Sequence, residues 1–406
     1  MRRTPSRIRV PEPLQAFAVG FSAELGELGY TPNSARLQMR LMAHLSRWLV
    51  SERLGVSALG MSEVERFLRS RRATGYTAHR TEKAMRPMLA YLRRAGVVPD
   101  PPAASPNGPL EELLERYRHY LTVERGLGGL TTRGYVDAVR PFLRARVPSD
   151  GLGPDLAQIR ATDIRAFVLA RCSARSRGAA QSTATALRSF LGFLHAEGVL
   201  ARPMAGVVPS IARWRLAGLP KGLEPEAVAG LLASCDRRTQ QGRRDLAILT
   251  LLVRLGLRAG EVAALRLEDV DWRAGTFIVR GKGNRTEPLP MPADAGDAVT
   301  AYLRRGRPAS AGDRTVFIRL KAPHRALSAG GVSQVVAAAA RRAGLGPIRA
   351  HRLRHTAATQ LLRAGAPLTE VGQLLRHRRA LTTAIYAKVD RDALRTIARP
   401  WPGGAA

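Results

Sequence analysis

Apolar positions recur at helical spacing through the first half of the chain. Leu113, Leu114, Tyr117, Tyr120 and Leu121 fall at i, i+3, i+4 steps between Leu110 and Glu124, which predicts an amphipathic helix. Thr131 is placed to cap a further helix running through Val136 and Val139 to Leu143. Another helix begins at Asp163-Ile164, and Ser182 to Ala196 reads as a long amphipathic helix that Gly198 would close. The segment before these repeats their plan. MLAYLRRAGVV (Met88 to Val98) parallels FLGFLHAEGVL (Phe190 to Leu200) at an offset of 102 residues. Upstream, GMSEVERFLRSRRATG echoes RATDIRAFVLARCSARSRG, and GYTPNSARLQMRLMAHLSRWL echoes GLTTRGYVDAVRPFLRA. The order is kept throughout, so two copies of one small helical module are expected.

The pattern changes after the second copy. Asp245 to Leu255 is an apolar helical run, whereas Phe277-Ile278-Val279 predicts a short strand. Gly281-Lys282-Gly283-Asn284 has turn chemistry, so Glu287 to Met291 should return as the second strand of a hairpin, with Thr315 to Ile318 as a third strand. From Ser333 the pattern is helical again. Two Pro-rich stretches, Val97 to Leu110 and Arg202 to Leu223, interrupt helix and separate three segments. The expected domains are 14–98, 110–200 and 223–400, two helical modules ahead of an α+β domain with a small antiparallel sheet, mainly α overall.

Charge narrows the class of partner. Lys and Arg number 65 against 32 acids in 406 residues, a net charge of +33. So positive a field calls for an anionic partner, and nucleic acid is the usual one. Cys172 and Cys235 match no zinc or redox spacing. No apolar run approaches the roughly 20 residues of a membrane span, and the basic N-terminus has no apolar signal region, so a cytoplasmic protein without membrane contact is expected. Only five lysines stand among the many arginines: Lys83, Lys221, Lys282, Lys321 and Lys388. A lysine retained in such a chain points to a need for a titratable amine, which guanidinium cannot supply.

The densest chemistry lies between His351 and Tyr386. HRLRH at 351–355 opens a helix on which His351 and Arg354 share a face. LLRH follows, ending at His377, and TTAIY ends at Tyr386, with Thr382 placed to cap the short helix that carries it. These residue types suit phosphoryl transfer. Planar Arg forks match the charge spread over phosphate oxygens, a histidine moves protons near neutral pH, and a phenol can attack phosphorus and hold the covalent intermediate. LGLRAGEVAAL supplies a second arginine, Arg258, and Lys282 at the hairpin tip can reach into a cleft and protonate a leaving oxygen. His351 and His355 at i, i+4 also raise a metal reading, but a zincin helix needs an acid between them; Arg352 and Arg354 stand there instead, and no metal or cofactor is expected. Glu261 reads as an ion-pair partner, and His355 as a residue that packs or bonds within its helix.

Taken together, R-A-G-E at 258–261, the turn lysine in GKG, H-R-L-R-H at 351–355, His377 and Tyr386 resemble the tyrosine recombinase (phage integrase) family in order and spacing. The likeness to the family's catalytic domain spans roughly 223–400, and the 110–200 module is similar to its SAM-like core-binding domain. Arg376 departs from the pattern, since the family usually has Gly before the second histidine. The resemblance implies that Arg258 and Arg354 hold the scissile phosphate, His351 assists proton transfer, Lys282 acts as general acid, His377 positions the phosphate, and Tyr386 is the nucleophile forming a 3′-phosphotyrosine. Neither ATP nor metal is needed, because the bond energy is stored in the intermediate. The implied partners are double-stranded DNA, a homotetramer on DNA with the monomer prevailing off it, and accessory or sibling recombinases. The implied activity is integration, excision or transposition of a mobile element. The alternatives are a DNA-binding accessory protein that has lost catalysis and a type IB topoisomerase-like relaxing enzyme. The first module is additional, with two readings: further DNA, arm-like sites included, or protein contacts.

Overall fold

The computed structural model describes residues 8–100, 108–147, 154–156, 158–174, 176–211, 222–281, 286–376, 383, 385 and 386. The turn residues 282–285, the expected cap Thr382 and the site residues Lys282 and His377 lie outside the described residues. The chain divides into two compact units, residues 100–217 and the combination of 1–99 with 218–406. Among the described residues the fold is mainly α with one small antiparallel sheet.

The first helices are α1 (Ala18–Glu27), α2 (Pro32–Ser51), α3 (Met61–Ala73) and α4 (Glu82–Arg94). On α2, Met39, Met42, Leu45 and Leu49 keep the i, i+3, i+4 stripe and are buried. They share a core with Phe21, Leu25, Val64, Phe67, Met85, Met88 and Leu92. Thr31 caps α2, its hydroxyl oxygen accepting from the Ser34 N–H at 3.3 Å.

The second unit repeats four helices: α5 (Pro109–Val123), α6 (Gly129–Arg144), α7 (Ala161–Ala174) and α8 (Arg177–Ala196). Its core gathers Leu114, Tyr117, Val139, Phe142, Ile164, Leu187, Phe190 and Leu194. Gly198 closes α8 as expected, at φ +72 with its N–H donating to the His195 carbonyl at 3.0 Å. The expected cap Thr131 instead lies inside α6, which starts two residues earlier behind Gly128.

The third set comprises α9 (Pro225–Ala233), α10 (Gln240–Arg254), α11 (Ala259–Ala264), β1 (Val270–Asp271), β2 (Thr276–Arg280), β3 (Thr286–Pro290), α12 (Ala293–Arg305), α13 (Ala329–Arg342), α14 (Ala350–Arg363) and α15 (Leu368–Leu374). Helix α10 is buried on nearly every face from Ala247 to Val253 and packs against α12, α13 and α14. Each Leu or Ile so buried contributes about 1.5–3 kcal/mol. The sheet runs β1-β2-β3, antiparallel, with Phe277 opposite Leu289 and Val270. Phe277, Val279 and Leu289 face the core while Ile278 is exposed, the period-2 pattern of a half-buried strand. Thr315 to Ile318 is not a strand of this sheet. Val316 donates to the Leu265 carbonyl and Leu327 to that of Phe317, both at 2.8 Å, and only isolated bridges form there. The run is apolar because it is a core-lining loop.

Candidate active site

Four stretches of chain converge around α14. The first is the turn entering α11. Gly256 sits at φ +56, a left-handed conformation that glycine adopts without strain, and a Cβ there would come within 2.6 Å of Leu375. That close approach places Arg258 at the start of α11. Glu261, at the third helical position, reaches back to accept from the Arg258 N–H at 2.8 Å, half of a capping box. Its other oxygen accepts from the Arg258 guanidinium at 2.6 Å.

The second stretch is the opening of α14, where Arg354 is 2 % exposed. Its guanidinium donates to the Gly256 carbonyl at 2.6 Å and to the Leu375 carbonyl. Arg354 therefore ties the α11 turn to the end of α15. Burial holds its pKa down to about 10, with nearby Arg258 adding to the effect, and it remains a cation at neutral pH.

The third stretch is Leu375-Arg376. Arg376 adopts φ +55, so the backbone keeps the left-handed conformation that a glycine would favour and strains a longer side chain to do so. Compensation comes from the side chain, which is buried and donates to Glu261 Oε2 at 2.7 Å and to the Leu374 carbonyl at 2.9 Å. Glu261 thus binds two guanidinium groups. Burial pushes its carboxyl up, but the Arg258 N–H and the charges of Arg376 and Arg258 outweigh this and hold it below the usual carboxylate range. Arg258, Arg354 and Arg376 against Glu261 leave a net +2 among these four, a field suited to an anionic phosphorus centre.

The fourth stretch brings Tyr386. Gly372 on α15 makes room for it, since a Cβ there would stand 3.0 Å from the hydroxyl of Thr383. Tyr386 is 2 % exposed and packs with Ala358, Leu362, Val371 and Leu375. Its hydroxyl lies 2.8 Å from Nδ1 of His355. The His355 ring in turn meets His351 edge to face, centroids 4.6 Å apart. Burial, then His351 and Arg354, lower the His355 pKa to about 4; burial, then Arg354 and Arg258, also lower that of His351. Burial pushes the Tyr386 phenol up to about 12, against the pull of Arg354. At neutral pH His355 is therefore uncharged and the phenol keeps its proton; the 2.8 Å contact pairs them in the direction that the imidazole tautomer sets.

Of the residues expected from sequence, Arg258, His351, Arg354 and Tyr386 stand around this one cluster. Two contributors were missed. His355 bonds Tyr386 rather than remaining within its helix; the i, i+4 pair with His351 was the available signal. Arg376 is an integral partner of Glu261, and no sequence rule predicts an arginine at positive φ. Among the described residues no group of three His, Cys, Asp or Glu gathers to hold a metal, and no helix is long and apolar enough to cross a membrane.

Replacing Arg376 with Gly separates the two effects at that position. The substitution relieves the strained φ, worth about 1–3 kcal/mol, but breaks a buried ion pair, which costs about 3–5 kcal/mol. A net loss of about 2 kcal/mol is expected in denaturant unfolding.

Comparison with known proteins agrees with this geometry. Residues 221–392 match the phage integrase family and residues 114–198 the phage integrase N-terminal SAM-like domain. The Sinorhizobium fredii protein named "Putative integrase/recombinase y4rA" is 39% identical over 98% of this chain and 97% of its own. The tyrosine recombinase XerD of Listeria monocytogenes is 32% identical over 71% of this chain and 97% of its own. Two solved structures share the fold: a lambda integrase dimer bound to a COC′ core site (TM-score 0.55, 18% identity, 82% of this chain and 93% of that one) and the XerH site-specific recombinase bound to palindromic difH substrate (0.55, 19%, 82% and 93%). The chain belongs to the tyrosine recombinase (phage integrase) family, whose members break and rejoin DNA strands.

Proposed function

We propose that this chain is a site-specific DNA recombinase of a mobile element, acting on double-stranded DNA through a 3′-phosphotyrosyl intermediate at Tyr386. The observation that carries the reading is the convergence of a phenol, a neutral histidine and two arginines on one helix start. In cleavage, the Tyr386 oxygen attacks phosphorus and the bond to the 5′ oxygen breaks. The phenolic proton passes to the His351–His355 pair, and Lys282 supplies a proton to the departing 5′ oxygen. Arg258 and Arg354, with His377, hold the phosphate oxygens as charge builds on them. A 5′-hydroxyl from a second duplex then attacks the phosphotyrosine, returning the proton and the bond. The name of the Sinorhizobium relative and the DNA-bound titles of both structural neighbours support this reading, and the lambda dimer supports assembly of several copies on DNA.

The test uses a nicked duplex carrying the element's end sequence, where the short cleaved strand diffuses away and traps the adduct. A covalent protein–DNA species is expected, and two paired sites should give a recombinant product. Supercoil relaxation with no recombinant would reject recombination in favour of a topoisomerase. No adduct on the native site would leave a DNA-binding protein without catalysis.

His355 adds a pH signature. Its folded pKa, about 4, is depressed below the ordinary 6.5. Its contribution to stability is therefore complete above pH 6.5 and is lost as pH falls from 6.5 to about 4. The melting-temperature difference between the native chain and His355→Phe should be largest above pH 6.5 and shrink toward pH 4. The same variant should cleave about 10²-fold more slowly or worse, having lost one of the two histidines proposed to take the phenolic proton.

A further inference from the structure

The first four helices match the second four at the level of buried positions, not only of sequence texture. Phe21 and Leu25 on α1 correspond to Tyr117 and Leu121 on α5, 96 residues on. Met39, Met42 and Leu45 on α2 correspond to Val136, Val139 and Phe142 on α6, 97 residues on. Val64 and Leu68 on α3 correspond to Ile164 and Val168 on α7, 100 residues on. Met85, Met88, Leu89 and Leu92 on α4 correspond to Leu187, Phe190, Leu191 and Leu194 on α8, 102 residues on. Gly96 and Gly198, also 102 apart, both close their helices at φ +72. The offset grows only between helices, as loop insertions require. The matched SAM-like region covers only the second copy, 114–198.

Surface charge follows the same register. Arg36 and Arg47 on α2 stand at the positions of Arg133 and Arg144 on α6, again 97 apart, and all four are exposed. Arg40, also exposed, joins the first pair, where the second copy has Asp137. At 3.6 residues per turn, Arg36, Arg40 and Arg47 lie within about 40° of one another and span about 16 Å of helix, comparable to the roughly 12 Å width of a major groove. None of the three is in an ion pair among the described residues; the ion pairs there use Arg66, Arg69 and Arg94. The Gln38 side chain donates to the Ala84 carbonyl at 3.4 Å, tying the start of α4, with exposed Lys83, to α2. Residues 8–98 hold 14 Lys and Arg against 7 Glu, a net +7; residues 110–200 hold 13 against 9, a net +4.

We propose that residues 8–98 form a second SAM-like module with its own duplex-DNA site, phosphates being held by the arginine stripe of α2. Guanidinium groups repeated in register without an ion pair among the described residues leave their charge for an external partner, and a polyanion with regular spacing is the ligand that fits them. The proposal shares with the recombinase reading only the premise that the chain engages duplex DNA. It does not depend on Tyr386.

The test is a salt titration of the full chain on a 60-bp duplex, from 50 to 200 mM. Removing one cation that neutralises a phosphate flattens the plot of log affinity against log salt by about 0.9. The triple variant R36A/R40A/R47A should lower the slope by about 2–3, while adduct formation at saturating protein continues. The charge-matched R66A/R69A/R94A, whose arginines are already paired, should leave the slope unchanged. A photo-crosslinker in place of Leu37, between the first two arginines, should attach to DNA. An unchanged slope in the first variant, an equal loss in the charge-matched one, or a Leu37 cross-link to protein instead of DNA would overturn the proposal. Loss of the adduct with Tyr386→Phe while these slopes persist keeps the two readings apart.

Discussion

Tyr386→Phe should bind DNA as the native chain does and form no covalent adduct at all. The substitution removes one oxygen. Its cost in stability includes the bond to Nδ1 of His355, about 0.5–1.5 kcal/mol, while the ring keeps its packing with Ala358, Leu362, Val371 and Leu375. On the proposed reading the substitution also removes the nucleophile, so cleavage of a nicked duplex should fall below detection, at least about 10⁴-fold. Denaturing electrophoresis of labelled duplex reads the adduct, and gel retardation reads binding. An adduct that persists would place the nucleophile elsewhere.

Arg354→Ala should give the second largest loss, and in two readouts together. The guanidinium holds the carbonyls of Gly256 and Leu375 while nearly fully buried. Its removal leaves two buried acceptors without that donor, about 1–3 kcal/mol each, and opens the seam between the α11 turn and α15. The cation that would stabilise the phosphorane charge is also removed, about 10³-fold or more in cleavage rate. Arg354→Lys separates these effects. A point-charge ammonium cannot fork to both carbonyls, so charge is retained while the seam is still weakened. Cleavage by the lysine variant should exceed that by the alanine variant at equal fraction folded, judged by single-turnover rates after unfolding curves are compared.

The parts of the fold that were legible from sequence are those where one local pattern decides the outcome. Asp245 to Leu255 is too continuously apolar to be anything but a core element, and it is the heart of α10. Phe277 to Val279 alternates around exposed Ile278 and forms β2. Gly198 closes α8 because only glycine enters the left-handed region freely. The failures come from tertiary context. Val316, Phe317 and Ile318 are fully buried and β-branched or aromatic, which mimics a strand, yet Val316 donates to the Leu265 carbonyl, Phe317 accepts from Leu327 and Ile318 donates to the Tyr302 hydroxyl, so no ladder forms. Strand β1 is two residues long and carries no periodic signal.

The site divides along the same line. Arg258, His351, Arg354 and Tyr386 were singled out by residue type, order and the family resemblance, and the fold brings these four near one another. The partner of the phenol was not singled out, because whether His351 or His355 meets Tyr386 depends on the approach of a segment more than 30 positions downstream. Arg376 was visible only as a departure from a pattern. Its buried pairing with Glu261, which also holds Arg258, becomes apparent only when α11 and the end of α15 are brought together.

The most direct measurement is the chemistry of the trapped adduct. Protease and nuclease digestion followed by mass spectrometry identifies the modified residue and the nucleotide end attached to it. The account predicts a peptide carrying Tyr386 joined to a 3′-phosphate, with a free 5′-hydroxyl on the other strand end. Attachment through a 5′-phosphate, or through any residue other than Tyr386, would contradict it.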